Sequence, residues 1–381
     1  MTKSPATGLQ IEAISSPAGL KDFIEVPWKL YGSDPNWQAP LRFELKQRLD
    51  TGKNPFFEHA SWQAWVARRD GRLVGRISAQ VDQLHQQRYG DNTGYFGMIE
   101  AEDNPQTFAA LFQHAENWLR DQGMTRVCGP FNLSINEEIG LLVDGFDTPP
   151  RIMMGHAPAY AGARVEAAGY STVQNLLAYD IHPAFETPKV MASLARRASK
   201  QITVRPFNRK NMAADLEVIR EVFNDAWSDN WGYVPWTDAE FKDIGQMLML
   251  LMDDDLIQIA ELDGRPAAFI VAMPNVNEAA RDLNGSLLPF GWLKLLWRLK
   301  VGFPKTARVP LMGVLKEYQH TRLGPTLAFM VIDAVRNALV KRGVTSVEMS
   351  WILEGNDGMR NIIEVIGGKV YKRYRMYEKT L

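Results

Sequence analysis

The chain of 381 residues has one cysteine, Cys128, which excludes an internal disulfide and fits a reducing compartment. Its 43 basic and 44 acidic side chains nearly cancel, to a formal net charge of −1, so no global basic field exists to draw nucleic acid. No run approaches about 18 uninterrupted apolar residues, so no spanning helix is expected. The opening MTKSPATGLQ lacks an apolar stretch, so no secretory signal is expected, and a cytoplasmic protein is the default. The six histidines are scattered, without His-Glu-x-x-His or paired-cysteine spacing, so no metal site is expected. Gly-x-Ser-x-Gly, Walker and Gly-x5-Glu-x7-Arg-Glu-x-x-Glu-Glu patterns are also missing, which argues against a serine hydrolase, a P-loop nucleotidase and a pyrophosphohydrolase. What remains is a globular composition, 46% hydrophobic and 23% charged, on a chain long enough for two domains.

The chain carries one phrase twice. Residues 123–138 read GMTRVCGPFNLSINEE and residues 343–358 read GVTSVEMSWILEGNDG. Gly123/Gly343, Thr125/Thr345, Val127/Val347, Leu133/Leu353 and Asn136/Asn356 coincide without a gap, and each phrase follows an amphipathic run. A spacing this wide exceeds solenoid periods and implies two copies of a whole domain. Each half runs β-α-β-β-β-α-β-α-β, with a strand pair turned at Asp70-Gly71 in the first and at Asp263-Gly264 in the second. The expected fold is α+β, each domain a mixed, mostly antiparallel sheet flanked by helices. The expected division is 1–180, a Pro-bearing basic linker at 181–202, and 203–381.

That order resembles the GNAT acyltransferase fold over nearly the whole chain, as two tandem copies. The resemblance implies acyl-CoA or acetyl-CoA as co-substrate and an amine as acceptor. In that family the fourth strand binds pantetheine, which points to Met312, Gly313 and Val314 of VPLMGVL. A following Gln/Arg-x-x-Gly-x-Gly/Ala loop receives the pyrophosphate at a helix N-terminus, where free N–H groups and the helix dipole favour an anion. Here that loop implies Gln319, Arg322, Leu323, Gly324, Pro325 and Thr326, with Arg322 in place of the middle glycine. The first half instead passes through Glu100, Glu102 and Asp103 straight into a helix, which repels a pyrophosphate. Only the second half is therefore expected to bind CoA. The family's later motif falls on Asn356, Met359, Ile363, Gly367 and Gly368, so Ile363 stands where a thiolate-protonating tyrosine is common, and either another group such as Tyr318 or a water takes that part or the half is inactive.

On the acceptor side, FNDAWSDNWGYVPW (223–236) gathers carboxylates, amides and aromatic walls suited to a polar amine head group. Asp225, Asp229 and Glu354 are candidate bases, and Asn230, Trp231 and Tyr233 are candidate substrate contacts. From Leu283 to Lys316 no acidic residue occurs, and within it SLLPFGWLKLLWRLKVGF (286–303) reads as a wide apolar helix bearing Trp292, Trp297, Lys294 and Arg298. Such a helix suits a membrane interface or an acyl chain, and equally a core position. With an interfacial helix the chain is similar to bacterial ceramide synthases of the same superfamily, which implies a long-chain acyl group, a sphingoid amine and attachment at the inner face of the membrane. The alternative is a degenerate GNAT pair that senses acyl-CoA or docks a protein partner. The insertion 129–160, with His156, and the methionine-rich run 245–252 are secondary candidates for a cleft wall and an acyl tunnel.

Overall fold

The computed structural model describes residues 8–381, except the side chains of 246–250. The first seven residues and most of the methionine-rich run therefore lie outside the described residues. Two compact units emerge: one comprises the chain up to Leu176 with Arg281–Leu288 and Lys372–Leu381, the other Leu177–Ala280 with Pro289–Tyr371. These bounds differ from the sequence division in three ways. The last strand closes the first unit, eight residues of the second half join it, and 181–202 belongs to the second unit, where Lys189–Ala198 is helical.

The first unit is built on β1 (Leu9–Ala13), β2 (Ala60–Arg69), β3 (Arg72–Asp82), β4 (Thr93–Ala101) and β5 (Arg126–Gly129), adjacent in chain order. Neighbours are antiparallel through β4, and β4–β5 is parallel. Helix Pro105–Asp121 starts on an Asn104 cap followed by proline, a pre-organised first turn. Its Phe108, Leu111, Phe112, Ala115 and Leu119 recur at helical spacing and are buried against the sheet. Strand β5 ends at Gly129, and β6 (Phe131–Asn132) and β7 (Glu138–Ile139) form a separate hairpin. Then come β8 (Leu141–Asp144) and β9 (Ser171–Ile181).

The second unit repeats the arrangement with β10 (Ile202–Pro206), β11 (Ile257–Leu262), β12 (Arg265–Pro274), β13 (Thr306–Val314) and β14 (Ser346–Leu353). Again all pairs are antiparallel except the last, β13–β14. The end of β9 lies beside β14. Helix Leu323–Lys341 is, among the described residues, one helix long and apolar enough to cross a membrane. Its Leu327, Val331, Ile332 and Val335 are buried and it packs on β11–β13, as a core helix does. The chain ends in β15 (Lys369–Thr380), whose Tyr377 faces Gly129 of β5 and whose Tyr374 faces Leu142 of β8.

Candidate functional site

In each unit the parallel pair is held together by few rungs and then parts. In the second unit the register runs from Thr306 opposite Ser346 to Val309 opposite Met349, while β13 continues to Val314 and β14 to Leu353. The arms beyond the last rung, Pro310–Met312 and Trp351–Leu353, are half-buried. Parted strands leave backbone N–H and C=O groups in want of partners, so they form a natural seat for an extended amide-bearing ligand.

The first unit parts one rung earlier, after Tyr95 opposite Cys128, and its own chain fills the opening. Met98 N–H donates to Asn132 Oδ1 at 2.7 Å. Gln80 Nε2 donates to the carbonyls of Phe131 and Leu133 at 2.9 and 2.8 Å. The fit is so close that a Cβ on Gly97 would stand 1.9 Å from the Phe131 oxygen. The acidic residues at and after the end of β4 are likewise committed, Glu100 to Arg76, Glu102 to Arg69 and Asp103 to Arg164.

Around the open pair, several sequence candidates converge on the outer arm of β13. Trp227 Nε1 donates to the Met312 carbonyl at 2.9 Å, and Gly313 lies against Phe269 and Ala226. Gln319 Nε2 donates to the carbonyls of Val314 at 2.8 Å and Ala226 at 3.2 Å. Asp225 Oδ2 accepts the Lys316 N–H at 2.7 Å. Asp225 and Gln319 thus brace the end of helix Met212–Trp227 against this arm. In the following loop Leu323 N–H donates to Thr321 Oγ1 and Thr326 Oγ1 donates to the Arg322 carbonyl, both at 3.1 Å. Gly324 lets the helix start pass close to the Tyr318 carbonyl, 2.6 Å from where a Cβ would be. Arg322 precedes the helix and Pro325 sits in its first turn.

The remaining candidates sit elsewhere. Asp229 is exposed and pairs with Lys316. A hydrogen bond with Glu317 raises the Tyr318 phenol above its ordinary value. Asn230 and Trp231 are half-buried, whereas Tyr233 is buried beside Phe223 and donates to Asn224 Oδ1 at 2.7 Å. Asn356 caps helix Asp357–Val365 by accepting from Met359 N–H at 3.1 Å. Glu354 follows β14, and its carbonyl accepts from Arg360 Nη1. Ile363 is fully buried. Trp292 and Trp297 are 46% and 60% exposed.

Sequence reasoning overlooked a charged network at the fork itself. Arg308 reads as one more cation of a basic stretch, yet both it and Glu348 are 0% exposed. They face each other across the third rung, with Arg308 Nε 3.4 Å from Glu348 Oε1. Arg308 Nε donates to Ser350 Oγ at 2.9 Å, and Ser350 Oγ donates to Glu348 Oε1 at 2.5 Å. Tyr371 donates to the other carboxylate oxygen, and Trp351 stacks on the guanidinium at 4.6 Å. One signal was available: within the repeated phrase these positions read Cys128 and Pro130 in the first copy but Glu348 and Ser350 in the second.

Other chemistry-bearing groups are committed to structure. Burial pushes the Cys128 thiol up to about 12, far from a reactive thiolate. His156 is buried and bonded to Asp34 Oδ2 at 2.9 Å. An open depression of about 500 Å³ in the second unit sets Arg209, Lys300 and Arg342 against Asp253, Asp254 and Asp255, already paired with one another. Among the described residues no cluster of three or more His, Cys, Asp or Glu side chains is placed to hold a metal.

Two relatives cover nearly the whole chain. Protein YghO of Escherichia coli (strain K12) is 51% identical over 363 residues, 95% of this chain and 93% of its own. A bacterial ceramide synthase of Caulobacter vibrioides (strain NA1000 / CB15N) is 48% identical over 375 residues, 98% of each. Among solved structures, a tandem GNAT protein from the clavulanic acid biosynthesis pathway, without AcCoA, matches with a TM-score of 0.57 at 13% identity, over 98% of each chain. At that identity the likeness is one of fold. No family model matches the chain.

Proposed function

Because this chain belongs to the family of the Caulobacter vibrioides bacterial ceramide synthase and protein YghO, and is folded as a tandem GNAT protein, we propose that it is an acyl-CoA-dependent N-acyltransferase whose second unit holds the acyl-CoA. The observation that carries this reading is the contrast between the two forks. In one the strands stop pairing after Val309 and Met349, and in the other the space beyond the last rung is filled by Phe131–Leu133. In the open fork pantetheine extends along Met312–Val314, and the N–H groups of that arm polarise the thioester carbonyl as charge develops on its oxygen. The start of helix Leu323–Lys341 takes the pyrophosphate, with Arg322 adding a charge-assisted bond.

The acyl group is long and the acceptor is a lipid amine of the sphingoid type. The bacterial ceramide synthase name of the relative supports this, together with the surface of helix Gly291–Trp297 and the turn after it. There Phe290, Trp292, Leu293, Leu296, Trp297 and Val301 are exposed beside Lys294 and Arg298. A tryptophan-bearing apolar face with cations suits a bilayer interface at the cytoplasmic side, where such an amine resides.

Isothermal titration of acetyl-CoA and palmitoyl-CoA, followed by thiol release on adding sphinganine, tests the assignment. Tight palmitoyl-CoA binding and sphinganine-dependent thiol release are expected. Binding without thiol release would leave the acyl-CoA sensor, a reading favoured by buried Ile363 at the position of the family's tyrosine. Binding of neither thioester would remove both.

A further inference from the structure

We propose that Ser350 and Glu348 form the proton relay of the acyl transfer, with Arg308 and Tyr371 positioning them; the inference rests on the acyltransferase reading above. Ser350 is the first residue of β14 beyond the last rung, where the fork opens, and Glu348 lies two residues back on the same face of the strand. Arg308 and Glu348 have no exposed surface and Ser350 retains 2%, while Val347 and Met349, on the other face of the strand, are buried.

Two further observations set the network apart from an ordinary structural ion pair. A buried charge pair is a poor device for stability alone, since apolar side chains of like volume do as well or better. The molecule also contains its own control. The first unit has the same rung at the same place, occupied by Tyr95 opposite Cys128, with Pro130 where Ser350 stands. The copy whose fork is plugged by its own chain carries no carboxylate and no guanidinium there.

The chemistry balances without an outside reagent. The neutral amine attacks the thioester carbonyl carbon and forms the C–N bond. Its N–H proton passes to Ser350 Oγ while the serine hydroxyl proton passes to Glu348 Oε1, along the 2.5 Å hydrogen bond already present. Collapse of the tetrahedral intermediate breaks the C–S bond, and the departing thiolate takes that proton back along the same path. Amide and CoA thiol leave, and the network is as it began. This supplies the proton that Ile363 cannot. Arg308 Nε holds the serine oxygen and Tyr371 holds the far carboxylate oxygen, so the relay keeps one geometry.

The test compares wild type, Ser350→Ala, Glu348→Gln and Glu348→Asp as full-length protein, with palmitoyl-CoA and sphinganine. Ser350→Ala and Glu348→Gln are expected to lower kcat by about 100-fold or more, in the range of general acid–base contributions, with KM and palmitoyl-CoA affinity little changed. Glu348→Asp should recover part of the lost rate. A Ser350→Ala enzyme whose kcat stays within about threefold of wild type would overturn the relay and leave the network structural. Should Glu348→Gln fail to fold because Arg308 is left without its counter-charge, Ser350→Ala decides, since it keeps that pair intact. Absence of amine-dependent thiol release in the wild type would strike the acyltransferase reading itself, and the relay would fall with it.

Discussion

At the residue scale, burial decides what titratable side chains do. His156 lies in the long insertion, and burial lowers its imidazole below the ordinary 6.5 despite the Asp34 carboxylate beside it. The unfolded chain then takes up a proton near pH 6.5 that the folded chain refuses, so stability falls as pH drops below that value. Urea unfolding at pH 7 and pH 5 should show this loss, at most about 1.4 kcal/mol for each unit by which the pKa is lowered. In His156→Gln that part of the slope should vanish; an unchanged slope would assign the acid sensitivity to other groups. Arg308 teaches the same lesson from the other side. In sequence it is one cation among six in an acid-free stretch, and nothing local says that its partner is Glu348 on another strand. Parallel pairing needs a crossover connection, and here helix Leu323–Lys341 separates the two partners in sequence.

At the scale of elements, the strand pairs turned at Asp70-Gly71 and Asp263-Gly264 were legible because alternation and turn chemistry are local. So was the caps-and-proline start of helix Pro105–Asp121. The closing of the first fork was not, because it depends on backbone oxygens of Phe131 and Leu133 meeting Gln80 from a distant strand. The sequence marks Asp225 as a candidate base and Gln319 as a candidate loop residue, while in the structure their hydrogen bonds brace β13, a role that composition does not reveal. The exposed apolar helix yields a prediction of its own. Trp292→Glu/Trp297→Glu should reduce flotation with liposomes rich in anionic lipid by tenfold or more, about 1.4 kcal/mol at least, because two interfacial tryptophans are lost. Unchanged flotation would remove the membrane surface while leaving catalysis on soluble substrates untouched.

At the scale of the molecule, the alternating apolar pattern of KVYKRYRMYEK announced a strand but not which sheet would take it. The strand runs from the second unit into the first, where Tyr374, Met376 and Tyr377 are 0% exposed and the buried Lys372 donates to the carbonyls of Gly145 and Thr148. Burying three such side chains contributes about 1.5–3 kcal/mol each, a sum comparable with the whole stability of a typical domain. A chain ending at Tyr371 should therefore lose the cooperative unfolding of its first unit and yield that part to brief trypsin digestion. Survival of a protease-resistant first unit would show that the strand is dispensable.

The same strand imposes an order on synthesis. Strands β5 and β8 need a strand made more than 200 residues later, so the first unit waits with an open sheet edge while the intervening chain is translated. An unpaired edge invites strands from other chains. A ribosome that stalls before residues 372–380 are made would hold the nascent chain with that edge unpaired, in an aggregation-prone form.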